Sequence, residues 1–188
     1  MNIEKHPFEP YVAQNTKVLF LGTFPPQQKR WSMEFYYPNW TNDFWRIMGF
    51  LFFDNKDYFC ILPKKTFDLS KIRAFLDSKC IGLSDTAREV VRLKDNASDK
   101  FLDIVQPLDL DFFLVNCPQL VVIVTTGEKA ASVIASLTNS ALPLMGEYVE
   151  ITYNGRVFKH YRMPSTSRAY PLALHKKAEY YRLVFRNL

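Results

Sequence analysis

The sequence predicts an α/β protein, and three stretches carry that prediction. Lys17 to Gly22 (KVLFLG) and Leu120 to Thr125 (LVVIVT) are short apolar runs rich in strand formers. Neither alternates with polar residues, so each reads as a strand buried on both faces. Gly127 then opens a helix through Leu137, with Ala130, Val133, Ile134 and Leu137 on one side. The second run and this helix make a strand, turn and helix unit of the parallel-sheet kind.

The other elements follow in chain order. Gly22 ends the first strand, and Pro25 and Pro26 carry it into a loop rich in polar and aromatic residues. From Asp43 the run DFWRIMGFLFF puts Phe44, Ile47, Met48 and Leu51 at helical spacing, with Asn42 before it as an N-cap type. A second helix is expected from Ser70 to Ser78, capped by Ser70, with Ile72, Phe75 and Leu76 on one face. Gly82 to Asp103 gives no clear pattern. Val149 to Tyr153 and Arg156 to Arg162 flank Asn154-Gly155, a two-residue hairpin signal. A last amphipathic helix begins near Pro171, with Leu174, Ala178, Tyr181, Phe185 and Leu188 on its apolar face.

A chain of 188 residues that is 48% hydrophobic can bury a core of its own, and the expectation is one domain over residues 1–188. A formal charge of +5 and a pI near 9.0 mildly favour an anionic partner. Cys60, Cys80 and Cys117 are scattered, with no C-x-x-C pair, so reduced thiols are expected and no metal site. The first residues lack the pattern of a secretion signal, and no segment approaches ~18 uninterrupted apolar residues. A cytoplasmic protein without a membrane span is expected.

Two loops stand out, because each follows an apolar strand and holds prolines with small polar residues, the usual place for a site in an open α/β sheet. One runs from Gly22-Thr23-Phe24-Pro25-Pro26 to Tyr36-Tyr37-Pro38-Asn39-Trp40-Thr41-Asn42-Asp43-Phe44-Trp45. The other is Met163-Pro164-Ser165-Thr166-Ser167-Arg168-Ala169.

At these residues the sequence resembles the uracil-DNA glycosylase superfamily, closest to its hypoxanthine-DNA and mismatch-specific glycosylase branches. Gly22 to Pro25 looks like the family's G-x-x-P turn, Tyr36 to Trp45 like its Y-Y-x-x-x-x-N-x-F-W segment, and Pro164 to Ser167 like its second motif. The strand at Leu120 and, more weakly, Gly82 to Asp99 extend the likeness over most of the chain. No one motif is specific, but the ordered set is. The resemblance implies a three-layer α/β/α sandwich with a short, mainly parallel central sheet. It also implies hydrolysis of the bond between a damaged base and deoxyribose, with no metal or cofactor. The implied partner is double- or single-stranded DNA carrying the damaged base, bound by a monomer.

The resemblance also assigns roles. Gly22, Thr23, Phe24, Pro25 and Tyr37 fall at the base pocket, with Tyr37 stacking on the flipped base; the plainer reading of Tyr37 is a core tyrosine. Most relatives carry Asn or Asp where this chain has Phe24, which can neither hold a water nor polarise a base. That departure points to the hypoxanthine-DNA glycosylase-like branch, whose working amide looks like Asn42, with Asn39 in reserve. A carboxamide can orient a water or donate to a base carbonyl, whereas the plainer role of Asn42 is a helix cap. Pro164, Ser165, Thr166, Ser167 and Arg168, with Ser98 more weakly, fall where relatives grip DNA; as a bare sequence this loop is a capping loop and Ser98 part of a turn. His160 is not the family's motif histidine, and a lone histidine on a strand is more often packed than catalytic.

Deamination gives uracil and hypoxanthine alike a ring N–H beside a carbonyl, so one fixed carboxamide could read both. The rivals are a DNA-binding member without turnover, made credible by Phe24, and an enzyme hydrolysing free nucleosides, which leaves the second motif and the basic excess without a task.

Overall fold

The computed structural model describes residues 2–94 and 99–186. In chain order its strands and α-helices are β1 (Ile3–Lys5), β2 (Val18–Gly22), α1 (Phe44–Phe53), β3 (Cys60–Ile61), β4 (Thr66–Phe67), α2 (Leu69–Lys79), β5 (Ile81–Asp85), β6 (Ala87–Arg92), β7 (Leu102–Pro107), α3 (Leu110–Asn116), β8 (Val122–Thr126), α4 (Glu128–Leu137), β9 (Tyr148–Tyr153), β10 (Arg156–Met163) and α5 (Leu174–Phe185). The central sheet has the order β5-β2-β8-β10-β9. Its first four strands are parallel, and β9 returns antiparallel to β10 at one edge.

The two faces of this sheet explain the helix layers. Successive side chains of a strand point to opposite faces. In β2, Val18 and Phe20 therefore join α1, α2 and α5 in one core with Phe44, Ile47, Ile72, Phe75 and Tyr181. Leu19 and Leu21 join α3 and α4 in a second core with Phe113, Ile123 and Ile134. Every residue of β2, β5 and β8 is buried, as an uninterrupted apolar run between two helix layers requires. The result is the expected α/β/α sandwich with a mainly parallel sheet.

The hairpin forms where Asn154-Gly155 placed it, with both residues at positive φ (45° and 77°), the backbone a two-residue turn needs. Two helix starts shift from expectation. The second begins at Leu69 and is capped by Asp68, whose carboxylate accepts the Lys71 N–H, rather than by Ser70. The last begins at Leu174, because the chain bends at Pro171 and Leu172 and Ala173 is extended. Its expected apolar residue Leu188 lies outside the described residues. The segment that gave no pattern, Gly82 to Asp103, holds most of β5, all of β6 and the start of β7. With β1, β6 and β7 form a small antiparallel sheet that encloses Phe24, Ala87, Val90 and Leu102 as a satellite core. No helix among the described residues is long and apolar enough to cross a membrane.

Candidate active site

The parallel strands β2, β5, β8 and β10 all end at the same edge of the sheet, and a cavity of about 780 Å³ opens there. Ligand sites of open α/β sheets lie outside the carboxyl ends of the strands for this reason: loops from neighbouring strands converge there. Gly22 to Pro25 enter the cavity from β2, Asp85 from β5, Thr126 and Gly127 from β8, and Pro164 to Ser167 from β10. Tyr37, Asn39 and Asn42 enter it from the long loop before α1. Two stretches more than a hundred residues apart in sequence thus share one wall. Of the expected site residues, Arg168 does not line the cavity and Ser98 lies outside the described residues.

Tyr37 forms part of the floor. Its ring stacks on the buried Phe44 ring, with centroids 3.8 Å apart and planes 9° off parallel, so Phe44 covers one face, and the residue lines the cavity. Its phenol meets the Thr126 hydroxyl at 3.3 Å. Burial pushes that phenol well above its ordinary pKa, and the Asp85 carboxylate adds to the effect, so Tyr37 keeps its proton. The residue has φ of 52° and precedes Pro38, a backbone region that a bulky residue avoids. The surrounding structure holds Tyr37 in a conformation it does not favour, and such strain concentrates at ligand-binding positions.

Asn42 stands one residue before the position that caps α1. Asp43 occupies the cap position without a side-chain capping bond, while Asn42 Oδ1 accepts the Phe44 N–H at 2.9 Å. Asn42 thus makes a helix-end contact of the capping kind although Asp43 holds the cap position. A backbone N–H can only donate, so it fixes the carboxamide with oxygen toward the helix and leaves the two N–H bonds of Nδ2 on the other side. In Asn39 the oxygen accepts both the N–H and the hydroxyl of Thr41, each at 2.9 Å, which turns the loop.

A buried polar cluster joins the two loops. The Asp43 N–H donates to the Thr166 carbonyl at 2.8 Å, next to a bridge between Asn42 and Ser167. From α5, the wholly buried Lys177 ammonium donates to Asp43 Oδ2 at 3.0 Å and to the Ser167 carbonyl at 2.8 Å. Tyr181, one turn further, donates to the Pro164 carbonyl at 2.8 Å. Arg168 completes the cluster through Nε to Asp43 Oδ1 at 3.0 Å. Its guanidinium, about half exposed, binds the loop to α1, a role the sequence gave no sign of. Ser165 and Ser167 accept backbone N–H bonds two residues ahead, which keeps the loop tight.

Phe24 is mostly buried in the satellite core, with the His6 ring edge-on at 5.2 Å, and touches the cavity only at its border. Sequence reading missed one carboxylate of this cavity, Asp85, and met Asp99 only as the end of the weaker likeness that starts at Gly82. Asp85, 6% exposed, ends β5 in register with Gly22 and accepts a hydrogen bond from His6 Nε2 at 2.8 Å. Asp99 also lines the cavity, and burial pushes its carboxyl up to about 6, with the Thr23 hydroxyl opposing and the Asp85 charge adding to the rise. The signal that could have found Asp85 is a polar residue closing an apolar strand, IGLSD, inside the stretch that gave no pattern. Arg30 and Lys100 stand at the cavity border, suited to phosphate. His160 lies away from the cavity: it is fully buried, Nε2 meets the Thr125 hydroxyl at 3.1 Å, and burial lowers its pKa to about 4.

No family model matches the chain, and no curated protein matches it. Among solved structures, it is similar to the solution NMR structure of a "putative Uracil DNA glycosylase" from Methanosarcina acetivorans. The likeness covers 99% of this chain and 98% of that one, with a TM-score of 0.64 and 22% identity. A likeness of that extent shows a shared fold, the α/β/α sandwich described above.

Proposed function

We propose that the protein is a monofunctional DNA glycosylase that hydrolyses the N-glycosidic bond of a deaminated base, hypoxanthine or uracil, flipped out of DNA. The observation that carries the proposal is the meeting of Tyr37, Asn42 and the Pro164–Ser167 loop around one cavity at the carboxyl edge of the sheet. The solved structure it resembles bears a uracil DNA glycosylase name. A base in a duplex cannot be reached by a protein side chain, so the nucleotide must turn out into a pocket, at a cost of a few kcal/mol. The Tyr37 ring at the cavity offers a base about 1–3 kcal/mol of stacking. The outward Nδ2 of Asn42 suits a base carbonyl, where negative charge gathers as the bond breaks. The Pro164–Ser167 loop and the cations at the border suit the phosphates on either side.

The test incubates excess protein with oligonucleotides carrying deoxyuridine, deoxyinosine, deoxyxanthosine or mismatched thymine, then cuts abasic sites with alkali. Strand breaks at deoxyinosine or deoxyuridine support the proposal. Binding without breaks on any substrate would instead make the protein a DNA-binding relative that lacks turnover.

Two further results are expected. Binding to DNA weakens steeply with salt, with log K falling by about 0.9 per phosphate contact for each unit of log salt. A flat plot would remove DNA as the partner. Tyr37→Ala weakens binding to damaged DNA by about 1–3 kcal/mol and leaves binding to undamaged duplex nearly unchanged, as anisotropy titrations on both would read. Equal losses on the two would make Tyr37 a core residue.

A further inference from the structure

The turn after β2, Gly22-Thr23-Phe24-Pro25-Pro26, carries no acid or amide, and Phe24 packs into the satellite core. Neighbouring strands lie about 4.8 Å apart. A carboxylate at the end of β5 therefore reaches the space beside that turn, and Asp85 is such a residue, paired in register with Gly22. Its two oxygens have different surroundings. Oδ2 is held by His6 Nε2 at 2.8 Å, while no hydrogen bond from the described residues reaches Oδ1. A Cβ placed on Gly22 would sit 2.5 Å from Oδ1 and 3.6 Å from the Tyr37 hydroxyl oxygen. Only glycine leaves room for that oxygen, which lies against Gly22 on the side shared with the base-pocket tyrosine.

We infer that Asp85 is the general base of this site, its Oδ1 accepting a hydrogen bond from the hydrolytic water and facing the sugar, with His6 as the residue that positions it. The inference rests on the glycosylase reading above. In the step, the water oxygen bonds to the anomeric carbon as the carbon–nitrogen bond breaks, and the bond's electron pair leaves with the base. The water's proton passes to Oδ1 and then to solvent, and the departing base takes one proton from solvent, so the sum is hydrolysis. The negative charge of Asp85 also offsets the positive charge that builds on the sugar.

His6 is built to hold the carboxylate still. Its ring is enclosed by Phe8, Phe24 and Tyr36, and Nδ1 lies 3.1 Å from the Phe8 N–H and 2.8 Å from the Phe8 carbonyl oxygen. A neutral ring accepts from the N–H and a protonated ring donates to the carbonyl, so Nε2–H faces Asp85 in either state. Asp99 is the competing carboxylate, but it comes from the segment before β7, whereas Asp85 closes a strand of the central sheet in register with Gly22.

The experiment compares wild type and Asp85→Asn in single-turnover excision on whichever damaged oligonucleotide the wild type cuts fastest. It also measures binding to the same oligonucleotide carrying a 2′-fluoro analogue that resists cleavage. A fall in rate of about a hundredfold or more, with affinity within about threefold, is the expected result. A rate within about threefold of wild type overturns the inference while leaving the glycosylase reading intact. A wild type that cuts nothing overturns both. Should Asp85→Asn fail to fold, the paired His6→Phe, Asp85→Ser variant leaves no orphaned charge and is assayed with rising formate. A rate that climbs about tenfold or more with formate supports Asp85 as the base, and no response overturns it.

Discussion

Asn42→Ala is expected to lower the single-turnover excision rate by about a hundredfold or more, a loss of about 2.7 kcal/mol in transition-state stabilisation. Binding to damaged DNA largely survives, because stacking and phosphate contacts supply it. The difficulty is that Asn42 Oδ1 also accepts the Phe44 N–H at the start of α1, so alanine removes a helix contact worth about 1 kcal/mol as well. Two further variants separate the roles. Asn42→Ser caps nearly as well but has no carboxamide, so a folded, nearly inactive serine variant supports catalysis. Wild-type turnover in the serine variant sinks the assignment and makes Asn39 the next residue to test. Asn42→Asp keeps the oxygen for Phe44 but loses the N–H groups that face away from the helix. If Asn42 donates to the leaving base, the aspartate variant is as slow as alanine; if it holds the water, the aspartate variant keeps its rate.

The second large effect is expected in stability. Lys177→Met removes a fully buried ammonium and leaves the Asp43 carboxylate with the half-exposed Arg168 as its ion-pair partner among the described residues. Breaking a buried pair from one side costs about 3–5 kcal/mol when the remaining charge is left short of partners and water, and here Asp43 loses the partner of Oδ2 while keeping Arg168 on Oδ1. For a domain of this size the melting temperature falls by roughly 10 °C. Excision falls as well, since the same ammonium holds the Ser167 carbonyl and so sets the wall beside Asn42. Adding Asp43→Asn should recover part of the loss by removing the orphaned charge, a non-additive outcome that a double-mutant cycle reads directly. A melting temperature for Lys177→Met within about 2 °C of wild type would mean that Arg168 alone satisfies Asp43.

The sequence alone determined the parts of the fold that depend on local pattern. The apolar runs at Lys17 and Leu120, the Asn154-Gly155 turn and the helices around Phe44, Ile72, Ala130 and Tyr181 each carry their instruction within a few residues, and each forms within a few residues of its expected limits. The two site loops were legible for the same reason, since proline and small polar residues after a buried strand mark where a sheet ends in a loop. What only the tertiary structure decided is what depends on residues far apart in the chain. β6 and β7 gave no pattern because β6 is only partly buried, β7 is mostly exposed, and their pairing has register shifts, so hydrophobic alternation is broken. Asp43 looked like the start of a helix, but it is the centre of a charge cluster that needs Lys177, 134 residues later. Asp85 looked like the end of an ambiguous stretch, and it gains its place in the cavity from the register of β5 against Gly22 and from His6, 79 residues away in sequence. Burial, strand register and charge pairing come from contacts between distant residues, and those contacts exist only once the chain has folded.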